Sequence, residues 1–362
     1  MLWLDRIHRW TGGIIGVLLA VLGLTGTLLV YEDAWLRATV PHAADPLVRD
    51  TRALTAAVER LTSNPSARPD SILFPSESLG LFRLSYDGEA GAYADQTGTI
   101  VVRWTSQWER LEIWLFDLHH HFFMGDAGTT VAGILAIIGV GFVVTGVLLW
   151  WRTRKAFAFR LLPARLTRLQ IIKHHRDLGV VMAPILLLSF LTATVLALRP
   201  VAEVLLAPFS PGTRITQALA APKTKGGRLA ENFDWRATLE TVHARFPDAQ
   251  LRSVSIPAGS GALIRIRVRQ PAEWLPNGRT IFWFDPADGR LVDVRDATAL
   301  PLGTRVYNLA YPVHAAKVGG AVYTAVMTAS GLTLTMLGSL AVFAFWSFRA
   351  RQRVYVAGWL RE

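Results

Sequence analysis

The sequence predicts a membrane protein: a four-transmembrane-helix bundle carrying two α+β domains on one side, organised as an internal two-fold repeat. Three observations lead to this class. Four stretches contain no charged residue, Thr11–Tyr31, Ala127–Trp151, Leu178–Leu198 and Val318–Phe348. Each meets or exceeds the roughly 20 residues that a helix needs to cross a hydrocarbon core. About 100 residues of mixed character separate the first from the second stretch, and the third from the fourth. Finally, His8-Arg9-Trp10-Thr11-Gly12 and His175-Arg176-Asp177-Leu178-Gly179 share His-Arg-x-x-Gly at the start of the first and third stretches.

Taken in order, residues 1–31 form the first transmembrane helix with its N-terminus. Basic residues precede it as in a signal peptide, but the apolar run is too long for an h-region and Tyr31-Glu32-Asp33-Ala34-Trp35 has no small-x-small cleavage site, so the helix is expected to be retained. Residues 32–126 form the first external domain. Helical spacing runs over Thr51–Leu61, alternating strands over 81–86 and 100–104, and Asp95-Gln96-Thr97-Gly98 forms a turn. Residues 127–151 are the second membrane helix and 152–177 a basic connection, followed by the third helix at 178–199. Residues 200–317 form the second external domain, with a helix at Trp235–Phe246 and strands near 250–256, 262–268, 280–285 and 291–294. Here Asp285-Pro286-Ala287-Asp288-Gly289 is the turn. The fourth membrane helix spans 318–348 and a tail 349–362 closes the chain.

Orientation follows from the basic residues. Arg6 and Arg9, the connection from Arg152 to Arg176, and the tail arginines 349, 351, 353 and 361 belong on the cytoplasmic side by the positive-inside rule. The external domains are then extracytoplasmic. The formal charge of +11 therefore reports topology and attraction to an anionic lipid bilayer, and no nucleic acid is expected as partner. With no cysteine, neither external domain carries a disulfide and no haem is attached through Cys-x-x-Cys-His.

Seven of the nine histidines lie beside the apolar stretches: His8, His119, His120, His121, His174, His175 and His314. Neutral imidazole ligates metals, so histidines gathered at both faces of a bundle point to metal or haem sites. His8 and His175 are each followed four residues later by a glycine, Gly12 and Gly179, leaving room for a flat macrocycle, and by Arg9 and Arg176, which can neutralise propionates. His119 and His314 hold the mirrored position at the other face, where two axial imidazoles would give a closed, electron-transferring iron. His121, with Gly125 four residues on, competes with His119, and the three-histidine run would also suit zinc, copper or nickel. His174 adjoins the His175 site. Met124, Met182 and Met327 are alternative axial ligands, though buried methionine usually packs. Trp3, Trp10, Trp35, Trp150, Trp151, Trp346 and Trp359 read as an aromatic belt. Phosphate loops, nucleophile elbows, His-Glu-x-x-His and dinucleotide fingerprints are absent from the sequence, and no acid lies in the apolar cores to drive a proton pump.

Several motifs together resemble one family. HRWTG from His8, LTGTLLVYEDA from Leu24, DLHHHFFMGDAG from Asp117, TGVLLWWRTR from Thr145, KHHRDLGV from Lys173 and YPVHAAKVGG ending at Gly320 are similar to the PepSY-associated transmembrane proteins over nearly the whole chain. The resemblance implies two periplasmic PepSY-like domains and a siderophore (ferrioxamine-type) inner-membrane reductase of iron uptake. It implies two non-covalent haem b groups, held by His8 and His175 and by His119 and His314. It departs at His120, where the family often has Arg, and at Ala315-Ala316, where Thr-Gly is frequent. The expected partners are a ferric siderophore and, as electron donor, a cytoplasmic reductant or the quinol pool. The expected iron-to-iron separation is roughly 20 Å. The alternative is a non-enzymatic, membrane-anchored binding or inhibitory module, or a metal permease.

Overall fold

A computed structural model describes residues 2–210 and 212–359, with side chains to residue 347. The tail arginines 349, 351 and 353 and Trp359 fall beyond the described side chains, and Arg361 beyond the described residues. In chain order the elements are α1 (Leu2–Val30), α2 (Glu32–Thr39), α3 (Thr51–Thr62), β1 (Ser71–Leu73), β2 (Phe82–Ser85), β3 (Gly91–Ala94), β4 (Ile100–Trp104), α4 (Leu111–His121), α5 (Gly125–Thr153) and α6 (Arg168–Ala197). There follow α7 (Arg199–Leu206), α8 (Ile215–Leu219), α9 (Trp235–Arg245), β5 (Gln250–Ser255), β6 (Ile264–Arg269), β7 (Thr280–Phe284), β8 (Leu291–Arg295), α10 (Leu302–His314) and α11 (Gly320–Trp359). Four of these, α1, α5, α6 and α11, are long and apolar enough to cross a membrane.

The chain divides into a helical unit (residues 1–30, 115–202 and 313–362) and a sheet unit (31–114 and 203–312). Sequence analysis placed the divisions at 126/127 and 317/318. They fall earlier, so His119 and His314 belong to the helical unit.

Within the helical unit α1 packs along α11 and α5 along α6. The α1–α11 seam is built from small residues. A Cβ added at Gly23 would stand 2.6 Å from the Gly331 carbonyl oxygen, and one at Gly338 only 2.4 Å from that of Gly16. In lipid, apolar surface does not drive helix association, and close backbone approach at glycine supplies packing instead. The Thr335 hydroxyl donates to the Gly331 carbonyl at 2.9 Å and lies 3.3 Å from the Ala20 carbonyl across the seam. On the other side, Leu19, Leu135, Leu178, Leu186, Phe190 and Leu337 bring all four helices into one buried cluster.

The sheet unit corrects the expectation of two separate external domains. Its eight strands form one antiparallel sheet in the order β4-β3-β2-β1-β5-β6-β7-β8. β1 and β5 pair directly, with Ser71 opposite Ser255, Ile72 opposite Val254 and Leu73 opposite Ser253. Each half alone would leave a bare strand edge, and joining them removes both. Ile72, Phe82, Leu84, Val254, Ile264, Ile266, Phe282 and Phe284 face α3 and α9, whose Val58, Leu61, Leu239 and Val242 complete a single core. Sequence patterning found α3, α9 and six of the strands, and did not name α2, α8 or α10. β1 and β3 are too short, at 3 and 4 residues, to show alternation. The two expected turns match: Asp95 Oδ1 accepts from the Thr97 and Thr99 amides and Asp285 Oδ1 from the Ala287 amide, with Gly98 and Gly289 at positive φ.

Because backbone atoms cannot yield as a side chain would, Gly338→Val should destabilise the bundle by about 1–3 kcal/mol. Its thermal midpoint in detergent should drop below that of Gly141→Ala, whose Cβ would meet nothing within 4 Å. Equal midpoints would mean that the seam is not a packing constraint.

Candidate ligand pairs in the helical unit

The four histidines singled out as ligands meet in two pairs. His8 of α1 faces His175 of α6 with ring centroids 6.3 Å apart. His119 of α4 faces His314 of α10, also at 6.3 Å. A metal–imidazole bond is about 2.0–2.1 Å and the ring centroid lies about 1.1 Å behind the ligating nitrogen, so trans imidazoles on one metal hold their centroids roughly 6.2–6.4 Å apart. Both pairs have the spacing of two imidazoles sharing a single metal.

Hydrogen bonding fixes which nitrogen is available. His8 Nδ1 lies 2.7 Å from Thr145 Oγ1, His119 Nδ1 2.9 Å from Thr25 Oγ1, and His314 Nδ1 3.1 Å from Thr192 Oγ1. Each threonine already donates its only hydroxyl proton to a carbonyl four residues earlier, Gly141, Val21 and Leu188 respectively, at 2.7 to 2.8 Å. The hydroxyl oxygen must therefore accept, and the proton sits on Nδ1 of each imidazole. Nε2 is left with its lone pair, the tautomer that ligates, and the threonine is the outer partner that orients it. Backbone carbonyls assist: Ser189 accepts from His314 at 3.2 Å, Leu22 from His119 and Leu337 from His175.

The locks repeat with the duplication. His8 and His175, Thr25 and Thr192, and Leu22 and Ser189 are all 167 residues apart. Thr25 and Thr192 each follow a ligand histidine by 17 residues, which places the two pairs about 25 Å apart along the helix axis. These threonines were missed in the sequence, although the repeat offset would have found two of the three.

Two similar turns deliver His119 and His314. Each histidine stands six residues before a glycine of positive φ, Gly125 and Gly320, that opens the next long helix. Phe122, Phe123 and Ala316 also take positive φ, a conformation that residues with a Cβ adopt at a cost. A Cβ at Gly128 would lie 1.5 Å from the His121 carbonyl oxygen, so this turn closes only over glycine. Gly26 is similarly required, since a Cβ there would stand 2.8 Å from His119 Cε1. Burial, with His120 and His314 nearby, pushes His119 well below the ordinary imidazole value. Burial and His120 push His314 down to about 4, so both are neutral at neutral pH.

Other candidates are placed elsewhere. His120 folds back onto its own helix, bonding the Phe116 carbonyl at 3.0 Å and stacking on that ring. His121 is held by Asp117 at 2.7 Å, so the three-histidine run does not converge on one point. His174 is buried against the Leu161 carbonyl, 3.0 Å from its Nε2. Arg176 forms a two-pronged pair with Asp177, at 2.6 and 2.8 Å, and donates to the Ala156 carbonyl. Asp177 is buried and needs a cation, which draws this guanidinium away from the propionate role expected of it. Arg9 pairs with Asp5 at 3.4 Å and stays exposed. Met182 and Met327 pack in the helix interior, and Met124 is exposed. At Gly12 and Gly179 an added Cβ would meet only Phe142 and Leu337 at ordinary contact distance, so neither position is pressed by a neighbour.

A family model described as PepSY-associated TM region matches residues 6–348 of the chain. No curated protein matches it.

Asp177 accepts from both Arg176 and the Ala158 amide, tying the connection before α6 to that helix. Breaking a buried pair by removing one partner costs about 3–5 kcal/mol. Asp177→Ala should therefore speed proteolytic cleavage within residues 157–167, while Arg9→Ala, which breaks only an exposed pair, should leave the cleavage rate unchanged.

Proposed function

The chain belongs to the PepSY-associated TM family, and on that premise we propose that it is a two-haem b reductase of the bacterial inner membrane that delivers electrons to a periplasmic ferric siderophore during iron uptake. The observation that carries this reading is the pair of 6.3 Å imidazole spacings with Nδ1 of His8, His119 and His314 already occupied. Among the described residues no group of three or more His, Asp or Glu side chains gathers around a metal position. Two imidazoles and no further protein donor would suit a group that brings its own remaining ligands, as a porphyrin does. A haem b held by two imidazoles supplies reversible one-electron chemistry at a coordinatively closed iron.

The chain's own residues do the rest. His8 and His175 would hold one group near the cytoplasmic face, where a reductant or the quinol pool has access. His119 and His314 would hold the second towards the periplasm. Thr145, Thr25 and Thr192 keep the ligating nitrogens bare and aimed, so no proton has to leave an imidazole before a metal is bound. The apolar cluster between the two levels, with Leu19, Leu135, Leu178 and Phe190, excludes water from the path between the pairs. At the far side the substrate iron is reduced from Fe(III) to Fe(II), which hard oxygen ligands hold less well, and it is released.

Protein purified in detergent from iron-replete cells should show a sharp Soret band and a b-type α-band, with a pyridine haemochrome count of two per chain. His175→Ala or His314→Ala should each lower the count to one, while His120→Ala and His121→Ala keep two. A colourless protein from such cells would end the reading. In vesicles loaded with a reductant, externally added ferric hydroxamate should yield ferrous iron trapped by a chromogenic chelator. His8→Ala should lower that rate by at least tenfold.

A further inference from the structure

The face of the sheet turned away from α3 and α9 carries an unexplained feature at its centre. Strands β2, β1, β5 and β6 present Ser71, Leu73, Arg83, Ser85, Ser253, Ser255, Arg265 and Arg267 to it, and with Asn277 they line a cleft of about 270 Å³. Register explains the hollow. Ser85, Ser71 and Ser255 stand directly opposite one another across three strands, with Arg265 next in the row. The following row runs Arg83, Leu73, Ser253, Arg267. Ser71, Ser253 and Ser255, with Leu73, floor the two central strands, and arginines rise from the strands on either side, whose backbones lie about 14 Å apart at ordinary strand spacing. The antiparallel β1–β5 pair centred on Ile72 and Val254 relates the halves, so the cleft sits on the internal two-fold and Arg83 and Arg265 are equivalent positions.

The protein's carboxylates balance these charges only in part, through Glu32 beside Arg83 and Glu273 near Arg267. Arg83 has Glu32 at 3.7 Å, a loose pair at one end. Arg265 donates to Ser255 at 3.1 Å, a neutral partner. Arg267 donates to the Gly278 carbonyl, and its Nε–H is buried with no partner. The neighbouring Arg252, at a bulge in β5, bonds the Pro75 carbonyl and Asn277, and its Nε–H is likewise without a partner. Glu273 is spent within its own loop, accepting from the Gln270 and Arg279 amides and from Thr280. Burial, then Arg279 and Arg265, push Arg267 down to about 9, so it remains charged at neutral pH while repelled by its neighbours. Forked guanidiniums on opposite walls, above a floor of hydroxyls, match a small molecule with several carboxylates, since each fork takes one carboxylate through two parallel bonds.

We propose that this cleft binds a small polycarboxylate, bridged between Arg83 on one wall and Arg265 and Arg267 on the other. The site belongs to the sheet unit alone and does not rest on the haem reading. Carboxylate and phosphate share the oxyanion chemistry, and spacing favours the ligand that carries more than one anionic group.

Titration calorimetry on the full-length protein in detergent at low salt, with citrate and then inorganic phosphate as probes, tests the site. Citrate should bind one per chain and at least tenfold more tightly than phosphate, weakening as sodium chloride is raised. Arg83→Gln combined with Arg265→Gln should reduce citrate affinity at least tenfold. Both side chains are partly exposed, so the fold should tolerate the change, and an unchanged thermal midpoint would verify this. Absence of citrate binding by the unmodified protein, or equal binding by the double variant, would overturn the proposal. So would binding seen only in phosphatidylglycerol nanodiscs and not in detergent, which would make the cleft a headgroup site.

Discussion

The helical unit depends on a hydroxyl whose proton is already committed. A threonine in a helix can donate to the carbonyl one turn back, a local bond that in most helices is unremarkable. Here that bond decides the tautomer of a neighbouring imidazole. With the proton of Thr25 on Val21 and that of Thr192 on Leu188, His119 and His314 can bond these oxygens only by donating from Nδ1. The proposed ligands would thereby be oriented by a neutral hydroxyl. That suits a bilayer, where a carboxylate in the same orienting role would carry a heavy desolvation cost.

The duplication turns this local device into a two-level arrangement. α1 carries a ligand for one pair, His8, and the lock for the other, Thr25. α6 does the same with His175 and Thr192. The 17-residue helical spacing therefore sets the distance between levels, and neither pair can shift along the bundle without pulling on the threonine that orients the other. The glycine seam between α1 and α11 keeps α1 in place, since Gly16, Gly23, Gly331 and Gly338 let the two backbones touch. The halves are not identical, however. His8 is oriented by the Thr145 hydroxyl, whereas its counterpart His175 leans on the Leu337 carbonyl. The two levels thus differ in their outer partners, a difference that would tune two like groups apart.

Much of this was legible in the sequence, for reasons that differ from residue to residue. Uncharged runs reveal membrane helices because a charge in hydrocarbon is costly whatever the tertiary structure, and the four histidines stood out because their motifs recur. The threonine locks were hidden because threonine in an apolar helix is common, and only the shared 17-residue offset from His8 and His175 marks Thr25 and Thr192. Arg176 misled for the opposite reason. Its place beside a ligand invited a cofactor role, while the next residue, Asp177, is buried and claims it. The merging of the external segments into one sheet lay beyond reach because β1, which makes the junction, is only 3 residues long.

The sheet shows what divergence does on a symmetric frame. The β1–β5 junction equates Leu73 with Ser255 and Ser85 with Arg267, so the second half is the more polar and more basic of the two on this face. The core side has not followed. Ile72 and Val254, and Leu84 and Ile266, remain aliphatic and fully buried. Residues facing α3 and α9 are held by packing, where even one methylene is felt; on the opposite face Tyr93 and Trp104 pack with Leu36 and Val40, whereas the central rows of serine and arginine line the cleft. A row of arginines in which, among the described residues, Arg83 alone has a carboxylate in ion-pair range, Glu32 at 3.7 Å, leaves charge that a ligand from outside the chain would compensate. The two faces of one sheet thus divide the work: one preserves the duplication, and the other records what the halves came to do differently.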